Sequence, residues 1–367
     1  MDCKDFDGQL AHPSAEVAEL AKQFVCVRVT DMRNVDLARW RFDFDLTFAA
    51  LTADSDGHVL HRYGGRNAAD AESALSMASL AFFLRESRKA LPDSASAPSD
   101  GTARPRTIGD LKLFAQRDAK ERTKCVHCHM VNDFEQQQAV ADGSWKREQL
   151  WVYPEPARIG VEVERDRPRI LTRVDAGSPA AKAGLAVGDE LIVVDRQRLA
   201  ARADLQWVLN ELPYGAVKVS IVFRRAADPE TVHQRGELEL AAGWKVADPL
   251  EYSWRPYKWN LSPQPGFGGK ELTDDEKRGH GLDAKSWALR VNYLVDWGPH
   301  ASSGRNALAA GLKKEDVVLS VAGKSDFVTE AHFQAWYRLT RQVGTTIDLV
   351  VLRDGKRMTV KLPVVEG

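Results

Sequence analysis

Three residues close together in the chain have the types and spacing that covalent cofactor chemistry needs. Cys125, Cys128 and His129 form the pattern C-x-x-C-H. Two thiols at this spacing can bond a haem through thioethers while the histidine that follows ligates the iron. The pattern therefore predicts attachment of haem c, with His129 as the metal ligand.

The same motif is compatible with other kinds of site, and the sequence leaves them open. Zinc could bind both cysteines together with His127 or His129, although no second ligand pair stands at the usual spacing. A dithiol could cycle as a redox pair, because Lys124 and Arg122 would favour a thiolate. In the simplest case the two cysteines are structural. The distal ligand of a haem is equally open, and the candidates are Met77, His12, His58, His61, His280 and His300.

Composition excludes several functional classes. The 367 residues include 51 Lys and Arg against 52 Asp and Glu, so no net field favours nucleic acid or an anionic membrane. No apolar run reaches the length of about 18 residues that a membrane span needs. The opening residues, MDCKDFDGQL, lack the basic and apolar regions of a secretory signal. We therefore expect no nucleic-acid partner and no membrane span, and four cysteines exclude a disulfide scaffold.

Two segments divide the chain into candidate domains. Residues 91–107, LPDSASAPSDGTARPRT, predict a flexible linker, and residues 246–278 predict a connector rich in Pro and Trp. The predicted fold class is multidomain, α/β plus mainly β. The expected parts are an α/β domain at 1–90, a helical C-x-x-C-H segment at 108–150, and two mainly β modules at 151–245 and 279–367.

The two β modules are copies of one pattern. Each copy has a strand, a turn with AGL, a second strand resembling GDELI, a helix and a closing hairpin. The stretch GSPAAKAGLAVGDEL in the first copy resembles the PDZ domain in its bacterial form. The resemblance implies β-barrel or sandwich modules that bind protein termini or extended peptides as an added strand.

The resemblance also implies a set of peptide-binding residues. In that family the loop before the second strand offers N–H groups to a terminal carboxylate, and a glycine lets the backbones approach. The second copy departs from the pattern through the insertion SSGRNAL and through Glu315, which stands where the first copy has Gly188. The matching positions are Ile159, Gly160, Val161, Gly281, Leu282 and Asp283.

The first 90 residues resemble the second half of a thioredoxin-like domain. Predicted strands meet at DSDG, a Gly-Gly pair follows, and an amphipathic helix is predicted from Ala68 to Arg88. MDCK resembles the end of a C-x-x-C-K motif and would make Cys3 the catalytic thiol. Leu46 stands where the family usually has a cis-proline. Cys26, inside FVCVRV, is predicted to be a buried core residue.

By this alignment, the first residue of the C-x-x-C-K motif would lie one position before Met1. We therefore expect the chain to start inside its first domain, with a cysteine or a selenocysteine at the preceding position. Such a start would also account for the lack of a signal peptide.

Together these features predict an extracytoplasmic thiol and haem redox protein, periplasmic or secreted, that recruits a protein through its PDZ modules and exchanges electrons with a redox partner. The alternatives are a PDZ peptide-binding adaptor with vestigial redox segments, or a metal-binding protein that uses the C-x-x-C-H cysteines. Thiol-disulfide exchange is the enzymatic activity that the thiols would allow. Proteolysis is not expected, because no separate domain is left to hold a catalytic triad.

Overall fold

The computed structural model describes residues 4–90, 104–118, 120, 124–225, 233–256 and 260–366. The chain divides into two compact units, Met1–Ala247 and Asp248–Gly367, which we call unit 1 and unit 2. Cys3 and most of the predicted linker, residues 91–103, lie outside the described residues. Within the described part of the chain, no helix is both long enough and apolar enough to span a membrane.

The N-terminal part of unit 1 contains helices and a two-stranded antiparallel sheet. The strands meet at the predicted DSDG turn, where the Gly57 N–H donates to the carbonyl of Asp54 at 3.1 Å. Phe6, Tyr63 and Phe83 fill the core, and each is 1% exposed. The elements are α1 Lys4–Ala11, α2 Ala15–Ala21, β1 Ala49–Ala53, β2 Val59–Gly64 and α3 Met77–Ala90.

Helix α3 begins at Met77, later than the predicted start at Ala68. The intervening residues form turns instead. The side chain of Asn67 accepts the N–H of Asp70 at 2.8 Å, and the side chain of Asp70 accepts the N–H of Glu72 at 2.8 Å. Such local bonds from Asn and Asp compete with helical hydrogen bonds and delay the start of the helix.

Residues 24–29, FVCVRV, form neither a helix nor a strand. Cys26 is exposed, and Val25 and Val27 are 94% and 78% exposed. Among the strands of the described residues, none pairs with this segment, so its alternating side chains have no sheet face to cover. The prediction that Cys26 lies in the core was wrong for this reason.

The C-x-x-C-H segment packs on the chain that follows α2. The Met32 N–H donates to the carbonyl of Val126 at 2.9 Å. Val126 and Val131 are buried with Leu37 and Phe44 in one apolar cluster. The helical pieces are α4 Lys112–Ala115 and α5 Cys128–Ala141, with 3-10 turns at Ile108–Asp110 and Arg147–Leu150.

The remainder of unit 1 contains two antiparallel sheets around an apolar core. The elements are β3 Val161–Val163, β4 Leu171–Val174, α6 Pro179–Lys182, β5 Glu190–Val194, β6 Gln197–Arg198, α7 Arg202–Glu211, β7 Val217–Arg224 and β8 Gln234–Leu240. β3 pairs with β4, and the larger sheet has the order β6-β5-β7-β8. The core between them includes Leu171, Leu191, Leu205 and Ile221, all at most 1% exposed.

Unit 2 is built on one antiparallel sheet. Its elements are α8 Pro249–Tyr252, β9 Phe267–Glu271, α9 Asp274–Gly279, β10 Leu289–Leu294, α10 Ala301–Ala309, β11 Val317–Val321, α11 Glu330–Thr340, β12 Thr346–Arg353 and β13 Lys356–Pro363. The strand order is β13-β12-β11-β10-β9. Apart from β6 and α9, the elements from β9 onward follow the same order as those from β3 onward in unit 1. The sheet begins at β9, inside the segment 246–278 that the sequence predicted as a connector.

Both units contain the same ion-pair clasp, which explains the repeated AGL and acidic motifs. In unit 1 Asp189 is 1% exposed and accepts from Nη1 of Arg225 at 2.8 Å. Nη2 of the same arginine donates to the carbonyl of Gly184, in AGL, at 2.8 Å. The counterparts in unit 2, with distances of 2.6 and 2.7 Å, are Asp316, Arg353 and Gly311. The arginine thus ties the AGL turn to the start of the next strand.

Helix α7 is held by the N-terminal part of unit 1. The carboxylate of Asp204, 0% exposed, accepts the Arg62 N–H at 2.7 Å and lies 3.0 Å from Nδ1 of His61. The guanidinium of Arg62 lies 3.6 Å from the centroid of the Trp207 ring. Because buried polar groups need partners, these contacts fix the position of α7 relative to β2.

Candidate functional site

The two cysteines of the C-x-x-C-H motif lie in different environments. Cys125 is exposed, whereas Cys128 is half-buried at the first residue of α5, with Sγ 3.6 Å from the carbonyl of Leu46. Burial raises the pKa of the Cys128 thiol, and the carboxylates of Asp45 and Asp43 raise it further. Cys128 is therefore held as a neutral thiol, without the thiolate preference expected from the neighbouring cations.

His129 lies on the first turn of α5 with its side chain 51% exposed. Its Nδ1 is 4.0 Å from the carboxylate of Asp133, and its ring stacks on that of His127 with centroids 6.0 Å apart. The motif side chains are not gathered into a metal site. Among the described residues, one group offers three ligand atoms within 4.8 Å of one another, and it consists of Asp54, Asp56 and His58. Haem and zinc at the C-x-x-C-H motif remain predictions.

The predicted peptide-binding residues Ile159, Gly160 and Val161 lie together at the start of β3. Ile159 and Val161 are 0% exposed and anchor the loop in the core. Gly160 has a φ of +85°, and a Cβ there would come 2.1 Å from Cβ of Ser178, so only glycine fits. The Gly160 N–H donates to the carbonyl of Ala157 at 3.0 Å. Capture of a carboxylate by this amide would therefore require the turn to open.

The outer edge of β3 is open. Among the described residues, β3 pairs with β4 alone. The carbonyl of Gly160 accepts the Asp175 N–H at 2.8 Å, and the Glu164 N–H also points toward the β4 side. Because main-chain direction alternates along a strand, the N–H and C=O groups of Val161 and Val163 point away from β4. Val161 is fully buried, so the accessible part of this edge is at the half-buried Val163. This edge can accept an added strand.

Polar residues on α7 hold the chain that leads into β3. Oδ1 of Asn210 accepts the Tyr153 N–H at 2.9 Å, and Nε2 of Gln206 donates to the Tyr153 carbonyl at 3.3 Å. Arg202 forms an ion pair with Glu155. The sequence did not predict these residues as functional, because the helix was identified from its apolar residues. The signal that could have found them is the polar stripe at every fourth position of α7.

Part of unit 1 matches a known domain family. Residues 157–233 match the family model for the PDZ domain. Unit 1 contains a PDZ domain. The chain is also similar to the solved structure "HtrA-type protease AlgW with decapeptide", with 15% identity and a TM-score of 0.23. That match covers 41% of this chain and 49% of the other, so the chain spans about half of that protein's length. No curated protein matches the chain.

In unit 2 the place of Gly160 in the PDZ domain is taken by Gly266. Its φ is +78°, and a Cβ there would lie 2.1 Å from the carbonyl oxygen of Ser303. Its carbonyl accepts the Val295 N–H at 2.8 Å, as the carbonyl of Gly160 accepts that of Asp175. Gly266 thus precedes β9 in the same way as Gly160 precedes β3.

The residues predicted for this role in unit 2, Gly281, Leu282 and Asp283, lie elsewhere. They follow α9, and the Leu282 N–H donates to the carbonyl of Lys277 at 2.9 Å. The structure therefore does not bring them to the start of the edge strand. Strand β9 was not predicted from the sequence, because FGGKE contains glycines and few of the apolar residues that are typical of a strand.

Side chains of unit 2 lie against both the edge and the face of β9. Nε2 of Gln334 donates to the carbonyl of Phe267 at 3.0 Å. The hydroxyl of Tyr293 lies over Gly268, since a Cβ at that glycine would come 2.3 Å from it. Tyr293, the cross-strand partner of Gly268 on β10, thus covers the face of β9, while Gln334 occupies a main-chain acceptor at its edge.

Proposed function

We propose that this protein is a peptide-binding adaptor whose PDZ domain accepts an extended segment of another protein, such as a chain terminus, along β3. The observation that supports this most directly is the edge of β3 at the half-buried Val163, whose main-chain N–H and C=O point away from β4. Main-chain hydrogen bonds to an added strand would supply affinity, and contacts with alternate side chains would supply specificity.

The surroundings of β3 favour this use because they are held in place before a ligand arrives. Gln206 and Asn210 bind the backbone of Tyr153, and the buried Asp204 joins α7 to His61. A site that is already ordered loses less conformational entropy on binding than a mobile one. The N-terminal part of unit 1 therefore acts as a support for the peptide site.

The test compares two substitutions at one residue of the edge. Peptides are selected from a displayed library with free C-termini and from one with internal segments, and their affinity for the full chain is measured by fluorescence polarisation. We expect Val163→Pro to weaken binding by about tenfold or more, because proline removes an N–H that faces the ligand. Val163→Ala keeps that N–H and serves as the matched control.

Two results would contradict the adaptor proposal. One is that neither library yields a peptide that binds above background. The other is that Val163→Pro and Val163→Ala bind the selected peptides equally well while thermal unfolding shows both variants to be folded.

A second candidate function is thiol or haem redox chemistry in a periplasmic or secreted protein, with a redox protein as its partner. The observation that favours it is the accessibility of Cys125 and His129 at the start of α5. Cys125 and Cys128 would hold a haem with His129 as iron ligand, and the bound haem would supply electron transfer. Cys128 would have to leave its contact with the Leu46 carbonyl.

The redox candidate is tested by exporting the chain in cells that contain the machinery for haem attachment. The visible spectrum and the intact mass after denaturation are then recorded. We expect a covalent haem that is lost when Cys125→Ala is combined with Cys128→Ala. A colourless protein of unmodified mass would exclude haem, and equilibrium dialysis against zinc would then test the metal-binding alternative.

A further inference from the structure

Three exposed valines stand at alternate positions between α2 and the chain that packs on the C-x-x-C-H segment. Val25, Val27 and Val29 are 94%, 78% and 58% exposed. We call residues 24–30, FVCVRVT, the valine segment. Because the side chains of a strand alternate between its two faces, these valines would share one face if the segment paired as a strand. Apolar side chains grouped in this way on a surface mark an interaction site.

The main chain of the valine segment is free to pair with another strand. Residues 25–30 are all exposed and form neither a helix nor a strand. Among the described residues, no group from Val25 to Thr30 takes part in a main-chain hydrogen bond, and the next such bond is that from Met32 to Val126. β-branched residues favour strands, and an unpaired strand with apolar side chains is a template for pairing with another chain. The segment therefore suits β-pairing with a second molecule.

The side chains of the valine segment are complementary to those of a second copy in one antiparallel register. With Val27 opposite Val27 of the second copy, Val25 and Val29 lie opposite each other, so the three valines of each copy cover one face. Arg28 then lies opposite Cys26, and no two like charges of the segment face each other. A shift by one residue puts the two sets of valines on opposite faces. A shift by two residues either sets Arg28 opposite a second Arg28 or leaves Val29 without a valine opposite it.

We propose that two copies of this protein associate through antiparallel pairing of their valine segments, with Val27 at the twofold axis. Such an interface uses the same surface of each copy and gives a dimer. The segment is much shorter than the roughly 20–30 residues a side of a stable interface, so the association is expected to be weak and concentration-dependent. The proposal does not depend on either candidate function, because the segment contains no residue of the PDZ domain or of the C-x-x-C-H motif.

The first test is sedimentation velocity of the full chain across the micromolar range, with a reductant present to prevent disulfide formation. We expect a reversible equilibrium between monomer and dimer. Val27→Lys should weaken the association by about tenfold or more, because it sets two like charges opposite each other and removes an apolar pair. Val187→Lys is the matched control, since Val187 is a 61% exposed valine of the same unit outside the segment. This control should associate as the unsubstituted chain does.

The second test determines the register by disulfide cross-linking. Val27→Cys is combined with Cys26→Ser, the protein is mildly oxidised, and the linked peptides are identified by mass spectrometry. Residues directly opposite each other have Cβ atoms about 4.5–5.5 Å apart, close to what a disulfide spans, whereas diagonal neighbours are about 7–8 Å apart. We therefore expect the link at position 27 to form faster than a link between two Cys26 residues in the unsubstituted chain.

The dimer and its register can each be contradicted. A chain that remains monomeric at every concentration would overturn the proposal. Equal association of Val27→Lys and the unsubstituted chain, with thermal unfolding showing both to be folded, would overturn it as well. Assemblies larger than a dimer, or a link between Cys26 residues that forms faster than the link at position 27, would exclude pairing with Val27 at the twofold axis.

Discussion

The PDZ domain of unit 1 and the sheet of unit 2 agree in the residues that hold their folds and differ in the contacts at the edge strand. Both have the clasp between an aspartate, an arginine and the AGL turn, and both have a glycine in the left-handed region before the edge strand. In the described residues the edge of β3 has no strand partner at Val163, whereas Gln334 donates to the edge carbonyl of Phe267 at β9. The interactions that stabilise the two folds are therefore the same, whereas the contacts at the edge strand are not.

The units also differ in their reactive and titratable groups. All four cysteines of the chain belong to the sequence of unit 1. At corresponding positions near the helix start, α7 has the buried Asp204 and α11 has the buried His332. Asp204 is bonded to His61. These differences allow each unit to be perturbed separately.

The largest expected effect comes from breaking the clasp in each unit. Asp189→Ala and Asp316→Ala should each lower the free energy of unfolding of their own unit by about 3–4 kcal/mol, because each leaves an arginine without its carboxylate. Urea unfolding followed by circular dichroism measures both. Asp348→Ala, which removes the exposed pair with Lys361, is the control and should cost less than about 1 kcal/mol. A large loss of unfolding free energy in only one of the two units would show that the two clasps are not equivalent.

The next effect tests whether Gly266 is the counterpart of Gly160. Alanine at either position combines an unfavourable φ with a collision at 2.1 Å, so we expect losses of about 2–3 kcal/mol. Gly281→Ala has a φ of +67° but open space around it, and should cost about 1 kcal/mol. Thermal unfolding of the three variants gives the ranking. Equal losses at Gly281 and Gly266 would argue against the assignment.

The thiols of unit 1 provide a smaller effect. We expect iodoacetamide to modify Cys125 about tenfold or more faster than Cys128 near pH 8, because Cys125 is exposed while burial raises the pKa of the Cys128 thiol. Peptide mass mapping at timed intervals measures both rates. The rate at Cys128 should rise as the pH increases toward the raised pKa of its thiol. Similar rates at neutral pH would show that Cys128 is not shielded by the Leu46 loop.

The smallest expected effect is a pH dependence of the stability of unit 2. Burial and the charge of Lys324 lower the pKa of His332, while Asp248 and Asp326 act in the opposite direction. The folded state then binds fewer protons than the unfolded state, so unit 2 should lose stability as the pH falls through about 6.5 toward the lower folded pKa. His332→Gln should remove this loss in urea unfolding at pH 7 and 5. Loss of the same size in the variant would contradict the assignment to His332.

Sequence patterns predicted the architecture of the PDZ domain better than that of the N-terminal segment of the same unit. The AGL and GDEL motifs of the PDZ domain were recognisable because small and acidic residues there satisfy local needs of the backbone and of the clasp. FVCVRV alternates as a buried strand would, yet Cys26 is exposed. Alternation shows only which residues share a face, and whether a neighbouring strand covers that face depends on distant parts of the chain.

The candidate sites show the same difference between what local sequence predicts and what tertiary contacts decide. By itself the sequence determined the duplicated pattern, the glycine turn at Gly160 and the spacing of the C-x-x-C-H motif, because each depends on a few adjacent residues. Only the tertiary structure decided that Gln334 bonds to the edge of β9 while the edge of β3 has no described strand partner, that Cys128 lies against Leu46, and that no described strand pairs with the valine segment. Those outcomes depend on contacts between residues far apart in the chain, which local composition and periodicity do not encode.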